Sequence, residues 1–465
     1  MEKTRDYIAM SLNGQALKIA KEHAFMMLAD FLRYQKKLTG TKIVCAEGDC
    51  GACTVLIFRP RIDHQFVPIN ACIVGLTQLD GAHVITIEAL KKENALSPIQ
   101  RALHNFHGSQ CGFCTPGFVM ALTGLFEKSP ARLSPQKVKN ELTGNLCRCT
   151  GYISIIEAAL SIDGKTIKPL KNYFSTSTYE NNGAIKFKHE GKEFYAPTTL
   201  EEADKLAQQG YKIRSGNTDL GVLENKDKAT PLRILSLNLI DELYDIRQED
   251  ERIIVGARVN LSSLRKFCQK RAPLFAQFIN IFASPQIKNM ATLVGNTANA
   301  SPIADTTPFL MVCDGMIHLR SIEGSRAISI EKLFVSYKTL NLKYNEYITH
   351  ISFCLPKSHE HLKLDKVSTR KDLDIATINS AFRIELAGKV IKNIKLAMGG
   401  IGPMIKRLKN TEQFMFNKEL DSALISDAQK ILQQEITPQS DLRASAQFRR
   451  VLANNVFSRY LGSLL

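Results

Sequence analysis

The sequence predicts an α+β protein of several domains, and three observations lead there. The chain has 465 residues, 44% of them hydrophobic, enough for more than one buried core at about 100–200 residues per domain. Short runs near the N-terminus and beyond residue 250 alternate apolar and polar residues, the period of strands. Other segments carry apolar residues three and four apart, the period of helices, and no internal repeat orders the two kinds.

The first element is IAMSLNGQALKI, where Asn13-Gly14 separates two alternating runs and predicts a hairpin with a two-residue turn. In FMMLADFLRYQKKL, the residues Met26, Leu28, Phe31, Leu32 and Tyr34 predict one buried helix face, with Gly40 as its stop. Strands at 54–58 and 84–87 complete a first unit over 1–90. From Ser97 the signals turn helical: SPIQ offers an N-cap serine, Pro98 at the first helical position and Gln100 at the capping-box position, and Ser134-Pro135 repeats the start. Apolar helices near 118–126 and 153–160 fill the unit 91–162. The polar stretch 163–191, with Asn181-Asn182-Gly183, reads as a linker. Beyond 192, strand runs such as RIIVGARV and AFRIEL alternate with helical runs such as TLEEADKLAQQG, an α/β or α+β pattern, and 445–465 predicts a closing helix.

The net charge is +16. Without a helix-turn-helix, a finger or an aromatic-basic stripe, that excess predicts a solvated basic surface, available to a partner subunit, and no nucleic acid. MEKTRDYIAM lacks a basic region followed by an apolar one, so no secretory leader is expected. The longest run free of charge and histidine, 108–126, holds four glycines, Pro116 and two cysteines, which argues against a membrane span and for a cytoplasmic protein. Eight of the eleven cysteines fall between Cys45 and Cys149. In a chain without a leader, such close spacings point to metal before disulfides.

CAEGDCGACTV places Cys45, Cys50 and Cys53 in the C-x4-C-x2-C spacing of plant-type [2Fe–2S] loops. Cys72 is the next thiol available as fourth ligand. Gly48 and Gly51 permit the backbone to fold around an inorganic core and turn amides toward sulfur. Cys111, Cys114, Cys147 and Cys149 form a second set, C-x2-C followed by C-x-C, which by itself also suits tetrahedral zinc. Cys268, Cys313 and Cys354 are isolated in apolar surroundings and read as inert.

Two Gly-Asn stretches follow: KIRSGNTDLG and ATLVGNTANASPIAD. Glycine beside Asn, Thr and Ser in a tight turn can converge backbone N–H groups on a pyrophosphate, although each stretch alone also reads as a surface turn. No G-x-G-x-x-G occurs, which disfavours a Rossmann site. No Ser/His/Asp or paired-carboxylate arrangement stands out, and no residue is assigned an acid–base catalytic role.

CAEGDCGACTV, SQCGFCTPGFVMAL and TGNLCRCTGY closely resemble, in the same order, the two iron–sulfur domains of the molybdenum hydroxylases, the xanthine dehydrogenase and aldehyde oxidase family. The resemblance implies a β-grasp ferredoxin domain over 1–90 and a four-helix domain over 91–162, each with one [2Fe–2S] cluster. It further implies an α+β, non-Rossmann FAD-binding domain over 192–345 and a C-terminal α/β flavoprotein subdomain over 346–465. Carried over residue by residue, Ile213, Arg214, Ser215, Gly216, Asn217, Thr218, Asp219 and Leu220 resemble one pyrophosphate loop, and Thr292, Val294, Gly295 and Asn296 resemble the other. Asp305 falls on a FAD-contacting position, Phe282 on the aromatic residue beside the isoalloxazine ring, and Lys366 on a lysine near the flavin. Gln110 and Cys149 match positions beside the pterin of a partner. The chain departs from the family glycines at Ala46, Asp49 and Val294.

No stretch resembles the molybdopterin-binding region. The resemblance therefore implies the iron–sulfur/FAD subunit found in the bacterial xanthine dehydrogenase branch of the family, paired with a larger molybdopterin-binding subunit in an (αβ)2 assembly. Electrons from purine hydroxylation on that partner are expected to pass to the Cys111 set, the Cys45 set, FAD and then NAD⁺. Two readings stay open beside it: a partner that hydroxylates an aldehyde or an N-heterocycle, and a stand-alone iron–sulfur flavoprotein carrier.

Overall fold

The computed structural model describes residues 4–91, 95–129, 132–177, 183–228 and 231–465. The chain forms two compact units, Met1–Asp241 with Ala283–Ala291, and Glu242–Phe282 with Thr292–Leu465.

In the first unit, Ile8–Leu12 and Gln15–Ile19 pair antiparallel across a turn in which Asn13 and Gly14 take φ of 53° and 86°. Both values are left-handed, as the tight primed hairpin turn requires. The hairpin leads a five-stranded sheet in the order Gln15–Ile19, Ile8–Leu12, His83–Ile85, Thr54–Phe58, Val67–Asn70, with Ile8–Leu12 and His83–Ile85 parallel. This mixed sheet closed by its last strand is the β-grasp arrangement. The strand expected at 84–87 ends at Ile85, and Ile87–Leu90 forms a 3₁₀ turn.

The helix expected beside this sheet differs from the prediction. Leu28–Asp30 runs into a π turn at Phe31–Gln35, and although Leu28, Phe31 and Leu32 are buried, Tyr34 is 59% exposed. A π turn holds more residues than 3.6 per turn, so it carries position 34 off the face that α periodicity assigns it.

Four helices follow: Pro98–Asn105, Thr115–Lys128, Pro135–Glu141 and Ile153–Ser161. Ser97 Oγ accepts from the Gln100 amide while Gln100 Oε1 accepts from the Ser97 amide, the reciprocal cap that SPIQ predicts. Leu103, Phe118, Leu122, Val138 and Ile155 share their core.

Asn181 and Asn182, read as linker, lie outside the described residues. The linker's end is not a linker: Ile185–His189 is a strand with Ile185 and Phe187 buried, paired to Lys192–Ala196. It edges a four-stranded sheet completed by Arg233–Ser236 and Lys212–Arg214, both parallel to the pair's inner strand. Leu200–Gln208, capped by Thr199 Oγ1 on the Glu202 amide, makes the crossover.

Besides a two-stranded pair, Phe334–Ser336 with Thr339–Leu340, the second unit holds two larger antiparallel sheets. One runs Ile246–Glu249, Arg252–Gly256, Tyr347–Cys354, Met316–Ser321, Gly324–Ser329, and the other Glu360–Val367, Ile378–Ala387, Val390–Gly399, Lys406–Arg407. Helices Lys409–Met415, Ser422–Glu435 and Ala446–Gly462 come after the last strand. Over 346–465 the strands come first and the helices afterwards, which makes this subdomain α+β where the resemblance implies α/β. No helix among the described residues is long and apolar enough to cross a membrane.

Candidate cofactor sites

The loop carrying Cys45, Cys50 and Cys53 enters the strand Thr54–Phe58, and Cys72 follows the neighbouring strand Val67–Asn70. The register Thr54↔Asn70 sets the ends of these strands side by side, which brings Cys72 back to the loop. Ala46, Gly48 and Gly51 have φ of 54°, 75° and 69°. Three left-handed residues within six curl the chain around the sulfurs, and the amides of Glu47 and Cys50 donate to Cys45 Sγ at 3.4 and 3.5 Å. N–H···S bonds of this kind stabilise negative charge on sulfur and so tune a bound cluster.

The four thiols lie in hydrogen-bond reach as a chain, Cys50 to Cys45 to Cys72 to Cys53. Hydrogen bonds from Cys50 and Cys72 hold the Cys45 thiol far below its ordinary pKa, while donation to Cys45 pushes Cys50 and Cys72 up. In the second set, Cys111 and Cys114 precede the helix Thr115–Lys128, and Cys147 and Cys149 precede Ile153–Ser161. Here the thiols meet as two cross-loop pairs, Cys111 with Cys149 and Cys114 with Cys147. Burial first, then the bond to Cys147, pushes Cys114 up to about 12. Burial would also raise Cys147, yet Thr150, 3.2 Å away, and nearby amides hold it lower. Tyr152 Oη accepts from the Cys147 amide at 3.0 Å and pins the loop.

A binuclear iron–sulfur core asks only two protein thiolates of each iron. The two cross-loop pairs fit that demand. The sets differ in exposure: Cys53 and Cys72 are buried, whereas Cys111, Cys149 and Gln110 are exposed.

In the same unit, Lys212–Arg214 leads through Ser215, Gly216, Asn217, Thr218 and Asp219 into the short helix Leu220–Asn225. Asn217 is buried at φ 61°, donates from Nδ2 to the Ile73 carbonyl at 3.0 Å, and keeps a buried Oδ1 that accepts no hydrogen bond. Such an orphaned acceptor fits a ligand donor. A Cβ on Gly216 would lie 2.3 Å from the Met290 carbonyl oxygen. The glycine is thus required by a backbone crossing, a constraint the sequence assigns to phosphate approach. Ile213 and Leu220 are half-buried and Asp219 is exposed. Asn225, which sequence reasoning misses, donates to the carbonyls of both Ala46 and Cys72 at 2.8 Å and ties this helix to the first thiol loop.

In the second unit, Thr292 Oγ1 caps the helix Leu293–Ala298 by accepting from Gly295, and Asn296 Oδ1 accepts from Thr306 at 2.6 Å. Val294 is buried within that helix, at a position that needs no left-handed φ. Asp305 and Lys366, 4% and 1% exposed, pair at 2.7 Å. Lys366 Nζ stands 5.7 Å from the centre of the Phe282 ring. Asn379 Nδ2 donates to the other Asp305 oxygen at 3.0 Å. The structure therefore gathers Phe282, Asp305 and Lys366, and adds Asn379 from the strand Ile378–Ala387, which sequence reasoning misses. A flat aromatic face beside fixed charges is what a protein supplies to a flavin ring.

Comparison with known proteins agrees with this chemistry. Three family models match: a [2Fe-2S] binding domain over residues 86–160, an FAD binding domain in molybdopterin dehydrogenase over 186–357, and a CO dehydrogenase flavoprotein C-terminal domain over 364–464. The domains of this chain are thus those that hold FAD and a [2Fe–2S] cluster. Xanthine dehydrogenase 1 of Arabidopsis thaliana is 28% identical over 97% of this chain and 39% of its own length, and xanthine dehydrogenase of Emericella nidulans 29% over 100% and 39%. The chain spans about two fifths of the length of these relatives. Among solved structures, carbon monoxide dehydrogenase from Hydrogenophaga pseudoflava covers 59% of this chain and 96% of its own at 23% identity, with a TM-score of 0.55. Quinoline 2-oxidoreductase from Pseudomonas putida 86 covers 60% and 98% at 21% identity, with a TM-score of 0.54. Both show the shared fold.

Proposed function

We propose that this chain, whose iron–sulfur and flavin domains are those of the molybdenum hydroxylase family, is the electron-transfer subunit of a xanthine dehydrogenase. Its partner is a larger, molybdopterin-binding chain. Bound cofactors would supply one-electron carriage at two [2Fe–2S] clusters and exchange with NAD⁺ at FAD.

One observation carries the reading: the thiol sets are graded from the surface inward and toward the flavin loop. Cys111 and Cys149 are exposed, with Gln110, Phe113 and Ile153 beside them in sequence and also exposed. Apolar and amide groups around exposed thiols suit docking of a partner that delivers electrons. The Cys45 set lies deeper, and Asn217 and Asn225 join its loop to the flavin segment through the carbonyls of Ile73, Ala46 and Cys72. Xanthine dehydrogenase relatives favour a purine over an aldehyde as the partner's substrate.

Metal and flavin analysis of the natively purified protein tests the whole reading. The expected result is about four irons and one FAD per chain, a larger molybdenum-containing chain in the same complex, and flavin reduced by xanthine. Zinc in either set, or a flavoprotein that purifies without molybdenum, would overturn it.

A further inference from the structure

The segment Ala283–Ala291 comes from the flavin half of the sequence yet packs in the first unit. Arg59 Nη2 donates to the Asn289 carbonyl at 2.9 Å, and Asn289 Nδ2 donates to the Pro68 carbonyl at 2.7 Å, so the segment is fastened to the ferredoxin sheet. From it Gln286, wholly buried, reaches the point where the two thiol loops meet. Its Nε2 donates to Asn145 Oδ1 at 2.7 Å and to Thr54 Oγ1 at 3.3 Å. Asn145 in turn donates from Nδ2 to the Gly51 carbonyl at 3.1 Å.

Beside the Asn145 side chain the loops also touch backbone to backbone. The amide of Leu146, next to Cys147, donates to the carbonyl of Cys50 at 2.9 Å. A Cβ on Gly51 would lie 2.1 Å from the Gly144 carbonyl oxygen, one on Gly117 2.3 Å from the Gly51 carbonyl oxygen, and one on Gly144 2.2 Å from Gln286 Oε1. Gly51 and Gly117 thus let backbone approach backbone, and Gly144 leaves room for the Gln286 side chain, which closes the gap over it. Its Oε1 accepts no hydrogen bond although buried. A buried glutamine that leaves its acceptor unmet is costly as mere filling, so its value lies in the donor it presents to Asn145.

We infer that Gln286 is a positioning residue for electron transfer between the two thiol sets, holding Asn145 so that the Leu146 amide stays on the Cys50 carbonyl. The inference rests on both sets carrying [2Fe–2S] clusters as proposed above. The step it governs moves one electron from the reduced set to the oxidised set, with no bond made or broken and no proton transferred. Loss of the donor leaves Asn145 Oδ1 buried and unmet, and the loop turns to satisfy it, lengthening the contact.

The test uses the full-length protein with iron and FAD in place. Gln286→Met keeps the volume and removes the donor. It should retain both cluster signals and FAD, weaken the magnetic splitting between the two reduced clusters in low-temperature electron paramagnetic resonance, and slow intramolecular equilibration after flash reduction severalfold. Gln286→Glu regains a donor only when protonated, so its equilibration should quicken as the pH is lowered, over a range where the parent is constant. Unchanged splitting and rate in Gln286→Met, loss of iron from one set alone, or a Gln286→Glu rate without that pH response would each overturn the inference. A protein with only one kind of cluster in the parent would instead overturn the functional reading beneath it.

Discussion

Changing Lys366 to Met isolates the charge at the centre of the second unit's candidate site. With Nζ 2.7 Å from Asp305 Oδ2 and both side chains nearly inaccessible, the pair is in the buried regime. An exposed pair contributes about 0–1 kcal/mol, whereas removing one member of a buried pair costs about 3–5 kcal/mol, because the other charge is left without compensation. Asn379 still donates to Asp305 Oδ1, which softens the loss toward the lower figure, and Met nearly conserves the volume of the lysine stem. The expected loss is about 3 kcal/mol. The double variant Asp305→Asn/Lys366→Met, which has no charge to strand, should recover most of it, a coupling of at least about 2 kcal/mol. The chain contains no tryptophan, so urea unfolding is followed by circular dichroism, and flavin content is measured in parallel. A single variant within about 1 kcal/mol of the parent, or a double variant as unstable as the two singles added, would refute the account of this site as a buried, mutually compensated pair.

Four further outcomes are expected. Cys50→Ser should abolish one of two [2Fe–2S] resonance signals and halve the iron while the other signal persists; zinc in the remaining set would count against the assignment. Gly216→Ala should lower flavin content and the unfolding midpoint together, since its Cβ meets the Met290 carbonyl; loss of flavin at unchanged stability would restore a direct phosphate role. Ala46→Gly should stabilise the first thiol loop by about 1 kcal/mol, the cost of holding a β-carbon at φ 54°, read as a slower loss of iron in urea. Acid should weaken the second unit: Arg383 and the Lys357 amide outweigh burial and hold the Glu360 carboxyl below its usual pKa, and the Arg443 amide, the Arg449 side chain and the Ala444 amide do the same for Asp441. Depressed folded values mean stability that is complete above about pH 4.3–4.5 and lost as pH falls through them, so Glu360→Gln should flatten the acid limb of the urea midpoint.

Legibility in the sequence followed the range of the interactions concerned. The Asn13-Gly14 turn, the Ser97–Gln100 cap and the spacing of the thiols are local, because turn geometry, capping and ligand chemistry each demand particular residue types a few positions apart. Tyr34 is exposed against expectation because the periodicity rule presumes an α-helix where the chain forms a π turn. In Ile185–His189 the signal was present, IKFKH alternating buried and outward residues, but five residues between polar stretches do not outweigh a linker reading. Gln286, Asn225 and Asn379 carried no decisive local signal. Their partners lie 141, 153 and 74 positions away, and a polar side chain bonded at such range looks, in sequence, like any surface residue.

The three departures from the glycines of the family the sequence resembles separate by the same physics. Asp49 and Val294 occupy backbone conformations open to any residue, Asp49 exposed and Val294 buried in a helix. No left-handed strain attends either. Ala46 alone sits in the left-handed region, and it is the residue whose carbonyl Asn225 holds. The bond from Asn225 fixes the peptide that follows the strained residue, so a contact from the helix Leu220–Asn225 maintains a loop conformation that glycine would adopt unaided. It follows that Asn225→Ala should loosen the Cys45 loop strongly in the natural chain and only weakly once Ala46 is glycine. The line width of the inner cluster's resonance signal in the single and double variants measures the difference. Equal broadening in both backgrounds would mean that Asn225 acts through Cys72 alone.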